Sequence, residues 1–111
     1  MSKNNVKDKE FPIMLDKERH LRLDLNAFCA LEEAYGDTFD LLEKAERGSL
    51  KALRAVVWAG LAHEDDELTE KEVGQMINPG NLAEVSETIQ EVISYYLPDP
   101  KNSPSPVPAT Q

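Results

Sequence analysis

A mainly α-helical single domain of about five short helices, entered through a β-hairpin, is predicted by three features of the chain. Apolar residues recur at helical spacing from residue 26 to 96, and that stretch is divided by glycine and by Asn78-Pro79-Gly80. Each helical segment opens on a residue able to cap it: Asp24 or Asn26, then Asp37, Ser49, Thr69 and Asn81. Before residue 26 the spacing is two, not three and four.

The elements follow in order. Phe11, Ile13 and Leu15 alternate with Pro12 and Met14, and Arg19-His20-Leu21-Arg22-Leu23-Asp24-Leu25 alternates again after Asp16-Lys17-Glu18. Such a pattern on both sides of a short polar turn predicts a hairpin, with Pro12 confined to an edge position because it has no amide to give a ladder. From Asn26, Phe28, Leu31 and Tyr35 share one helical face until Gly36. A second helix, capped by Asp37-Thr38, carries Phe39, Leu42 and Ala45 inward and stops at Gly48. Ser49 caps a third, whose inward stripe is Leu50, Leu53, Val57, Gly60 and Leu61, with Lys51 and Arg54 off it. Its second half is apolar nearly all round, which predicts a central helix.

Thr69 and Glu72 have the spacing of a capping box, the threonine oxygen taking the third amide and the glutamate reaching back to the cap amide. The short fourth helix turns Val73, Met76 and Ile77 inward. Asn81 and Glu84 repeat the spacing. The fifth helix places Leu82, Val85, Ile89, Val92, Ile93 and Tyr96 on one face and Glu84, Glu87 and Glu91 on another, and Pro98 ends it. The expected domain is 10–97, with a polar, disordered arm over 1–9 and a disordered Pro/Ser-rich tail over 98–111.

Composition bounds the function. In 111 residues the net charge is −9, and residues 55–98 hold nine acidic side chains against Lys71 alone. Phosphate-backbone binding needs clustered Lys and Arg to displace counterions, so nucleic acid is excluded as a partner. That acidic half is read either as a solvated face or as a surface steering a basic partner. The one cysteine, Cys29, suits a reducing compartment, and the N-terminus has no apolar leader. The longest apolar run, Ala55 to Ala62, is far short of the ~20 residues that span a bilayer. A cytoplasmic protein with no membrane partner is expected.

No constellation for bond-making chemistry is seen, and neither an enzyme activity nor a cofactor is expected. Asp65 and Asp66 lie between helices, but the loop lacks the central glycine and the twelfth-position glutamate of a calcium loop. His20 and His63 have no second ligand at zinc spacing. His63 is placed at the C-terminus of the third helix, where positive charge is favourable. Cys29 is read as a small buried hydrophobe. Gly60 and Gly74 cost a helix about 1 kcal/mol each relative to alanine, so each marks either a close helix approach or the floor of a groove. Trp58, off the stripe, is a core contact or an interface anchor.

The order of several short motifs resembles the small tail assembly chaperones of long-tailed bacteriophages, prophages and gene-transfer particles. It covers residues 11–97: the hairpin, Leu25-Asn26-Ala27 with Leu31-Glu32 and Gly36, Gly48 followed by Arg54 and Ala59-Gly60-Leu61, then Leu68-Thr69 with Glu72-Val73-Gly74 and Ile77. The resemblance implies a protein that binds the long, hydrophobic, helical tape-measure protein, keeps it soluble and helps tail-tube subunits assemble around it, without entering the finished particle. Homo-oligomers are compatible with this. In that scheme Trp58, Gly60, Leu61, Met76 and Tyr96 are the candidate partner-binding residues, Trp58 and Tyr96 as anchors and Met76, with Met14, as an adaptable contact. The alternative is a small acidic regulatory adaptor that binds a basic protein through residues 55–98.

Overall fold

The computed structural model describes residues 9–96. Two strands, β1 (Phe11–Met14) and β2 (Glu18–Leu21), precede five helices, α1 (Leu25–Tyr35), α2 (Thr38–Glu46), α3 (Leu50–Leu61), α4 (Glu70–Met76) and α5 (Leu82–Tyr96). The expected class is therefore the observed one. The arm expected over residues 1–9, Lys9 apart, and the tail expected over 98–111 lie outside the described residues.

The hairpin is antiparallel, with Phe11 opposite Leu21, Pro12 opposite His20 and Ile13 opposite Arg19. The His20 carbonyl on β2 and the Arg22 amide just past its end face away from β1: the first accepts from His63 and the second donates to the Gly60 carbonyl at 2.9 Å. The pairs that exchange ladder bonds are thus Phe11–Leu21 and Ile13–Arg19, and Pro12 occupies a position where no amide is needed. Phe11, Ile13 and Leu21 turn into the core. Asp16 and Arg19 close the turn with a two-pronged ion pair, 2.8 Å from Nε to Oδ1 and 2.9 Å from Nη2 to Oδ2.

Caps place the helices as their residue types require. Asp24 accepts from the Ala27 amide at 2.9 Å, so the first helix starts at Asp24 rather than Asn26. Asp37 takes two amides and Ser49 takes that of Ala52 at 3.1 Å. Gly48 sits at φ +102°, a backbone region that side chains disfavour, between α2 and α3. The Thr69–Glu72 box forms in both directions, at 3.1 and 2.9 Å. The second box does not form. Asn81 instead accepts from the Asn78 amide at 2.8 Å and donates to the Met76 carbonyl at 2.9 Å, because its side chain is drawn back into the Asn78-Pro79-Gly80 turn.

α3 is central, packing against α1, α2, α4, α5 and β2, with eight of its twelve residues buried. α5 lays Val85, Ile89, Val92 and Ile93 into the same core and covers β1. Leu31, Leu42, Val57, Leu61 and Val73 complete it. Two expected core residues are exposed: Phe39, at 58%, and Leu50, at 62%; Leu41 takes the buried place on α2. Both exposed residues lie in the first turn of their helices, where side chains tilt toward the N-terminus and overshoot the packed layer.

Candidate functional site

The residues expected to bind a partner do not form one surface. Gly60 and Leu61 are buried in the core and present nothing to solvent. A Cβ on Gly60 would meet Leu21 at 3.0 Å, so this glycine allows the close approach of a strand, not of a second helix. Trp58 is half-buried against the core, its indole N–H donating to the Leu68 carbonyl at 3.0 Å. Met76 lines a shallow groove with Leu15 and Leu68. Tyr96 is at the far end of α5, its ring edge-on to Phe28 at 5.6 Å.

The titratable candidates are likewise dispersed. Cys29 is exposed, not buried, because Ala27 and Leu31 carry the core face of α1 and Cys29 falls on the opposite side, beside Leu25, Phe28 and Phe39. His63 does lie just past the end of α3, and its Nε2–H donates to the His20 carbonyl at 2.6 Å. The His20 ring is 3.2 Å from Glu64 and 3.4 Å from Glu18. Asp65 accepts from the Glu67 amide at 3.2 Å and shapes the acidic loop as a turn. Among the described residues no group of three or more His, Cys, Asp and Glu side chains is arranged to hold a metal, and no helix is long and apolar enough to cross a membrane.

A surface the sequence did not single out is better built. Between the start of α3, the end of α4 and the start of α5 runs an open, mainly apolar groove of about 490 Å³, lined among others by Leu50, Arg54, Gly74, Ile77, Pro79 and Leu82. Its form follows from local sequence: Asn78-Pro79-Gly80 ends α4 and turns the chain before α5, and Ile77 and Leu82 on either side of that turn line the groove with Leu50 and Leu53 of α3. Gly74 is the narrow point, since a Cβ there would stand 3.2 Å from Cδ of Arg54. Arg54 lies along α4 and contacts the phenol of Tyr35, which donates to Glu70. Burial pushes the Tyr35 phenol up, with Glu70 adding to the rise and Arg54 opposing it. Lys51 sits beside Arg54 with its ammonium 5.9 Å from the centre of the Tyr35 ring.

A second apolar surface, Leu25, Phe28, Cys29 and Phe39, flanks the α1–α2 junction. Leu25 is 75% exposed. Helical grooves of this kind accept side chains of another helix or chain.

The family model described as phage tail tube protein, GTA-gp10, matches residues 13–98. The chain belongs to that family. The match begins within β1 and runs past the end of α5, so it takes in β2, all five helices and both grooves. Membership makes this a protein of phage tail structure or assembly. Searches among curated proteins and among solved structures find no match.

Proposed function

We propose that this phage tail family member is a tail assembly chaperone, which holds apolar helical segments of the tape-measure protein in solution while tail-tube subunits assemble. The observation that carries the reading is the apolar groove between α3, α4 and α5 on a small, acidic domain of a phage tail family. Leu50, Ile77 and Leu82 offer an apolar floor to a helix laid across them, and the net charge of −9 keeps such a complex soluble. Co-expression with the tape-measure protein of the same gene cluster tests it. More soluble tape-measure protein with the chain than without is expected; equal solubility overturns the reading.

The family's description favours a second reading, that the chain is itself a component of the tail tube. Purified particles separate the two. A chaperone is absent from finished tails, whereas a tube component is present there at a fixed ratio to the other tail proteins. The acidic-adaptor reading is separated by salt: masking of apolar helices persists as the Debye length shrinks from about 10 Å to 3 Å between 0.1 and 1 M, and an electrostatic partner is lost.

A further inference from the structure

We infer that the groove between α3, α4 and α5 takes an acidic amphipathic helix, one whose apolar stripe is flanked by carboxylates. The inference rests on the helix-binding reading above and adds the chemistry of the bound segment, which runs against the charge of the chain as a whole. The chain carries 21 acidic and 12 basic side chains, yet none of the residues lining this groove is acidic, and Lys51 and Arg54 both line it.

These two cations differ from most of the others. Arg19, Arg22, Arg47 and Lys44 each have a carboxylate within ion-pair distance. Among the described residues Lys51 and Arg54 have none; both are turned toward the Tyr35 ring and phenol instead. The Nε of Arg54 is shielded from water and has no acceptor. Gly74 leaves room for the arginine stem to pass, so the guanidinium is held at the groove wall. A carboxylate on a helix seated over Leu50 and Leu82 meets an already positioned guanidinium, the arrangement in which Arg–carboxylate bonds are strongest. The acidic charge of residues 55–98 does not prevent this. Glu70, which reaches Arg54 through the Tyr35 phenol, already accepts that phenol's hydrogen bond, and repulsion from the more distant carboxylates is screened at physiological salt, where the Debye length is about 8 Å, while a contact pair at the groove is not.

The test uses the whole chain and two synthetic helical peptides with the same apolar stripe, one flanked by glutamates and one by lysines, at physiological salt. The glutamate peptide is expected to bind at least tenfold more tightly at the groove, moving the amide resonances of Leu50, Gly74 and Leu82, and Lys51→Glu is expected to abolish that preference while the rest of the spectrum stays unchanged. Equal or tighter binding of the lysine peptide at the groove overturns the inference, as do resonance changes confined to Leu25 and Phe39, or no change with the glutamate peptide. Co-expression keeps the two proposals apart. If the tape-measure protein is solubilised equally by wild type and Lys51→Glu, the carboxylate preference falls and the chaperone reading stands; if it is not solubilised but the glutamate peptide takes the groove, the reverse holds.

Discussion

Two residues set measurable limits on the hairpin. The Arg19 guanidinium holds the Asp16 carboxyl down at about 2, against an ordinary value of 3.8. A folded-state value below the unfolded one means that the pair stabilises fully above about pH 4 and that this contribution is lost as pH falls from about 4 to about 2. Asp16 is 44% exposed, so solvent screening holds the effect to about 1 kcal/mol or less. Urea midpoints of wild type and Asp16→Asn should therefore differ at pH 7 and converge near pH 2. Gly60 is the other. Alanine there gains about 1 kcal/mol of helix propensity, but its Cβ stands 3.0 Å from Cδ2 and 3.3 Å from Cβ of Leu21, which is 1% exposed and has nowhere to go. The overpacking cost of about 1–3 kcal/mol exceeds the gain. Gly60→Ala should lower the urea midpoint without changing the slope.

At the scale of elements, most of the fold was legible because local signals agreed with one another. Asp37, Ser49 and Thr69 cap where their spacing said, and α3 is central because its second half has no polar face. Two of the misreadings share a cause: Phe39 and Leu50 each stand at the first or second position of a helix, where the periodic pattern still counts them inward but the tilt of the side chain carries them past the core. Leu25, counted into the alternation of the hairpin, opens α1 instead and is exposed. All three side chains border the apolar surfaces, so the site was hidden where the pattern failed. Asn81 fails to cap for a different reason: the preceding Pro-Gly turn offers its side chain nearer partners. α4 is the shortest helix, seven residues long and anchored by Val73 and its box. Too short to persist alone, it should respond locally. Thr69→Ala should cost about 1 kcal/mol and raise amide exchange through α4 more than through α5, as read by native-state hydrogen exchange.

For the whole molecule, charge was legible in amount but not in arrangement. The total of −9 and the acidic run of residues 55–98 could be counted from the chain, and Lys51 and Arg54 could be placed one turn apart on α3, whereas the apolar groove they border is formed only when α4 and α5 pack beside that helix. The excess itself has a thermodynamic consequence. The exposed ion pairs, such as Lys44–Asp40 and Arg47–Glu43, are worth about 0–1 kcal/mol each and weaken with salt. Repulsion among unpaired carboxylates weakens with salt as well, and with 21 acidic against 12 basic side chains repulsion outweighs attraction. Adding salt should therefore raise the Tm from low ionic strength up to about 0.2 M, beyond which little long-range field remains to screen. Glu87 lies exposed on α5 between Glu84 and Glu91, three and four residues away, so like charges face one another along the helix. Glu87→Lys converts both neighbours to attractive pairs and should stabilise the fold by about 0.5 kcal/mol at low salt. The gain should shrink as salt rises. A gain that stayed constant from about 0.01 to 0.5 M would assign it to helix propensity rather than to charge.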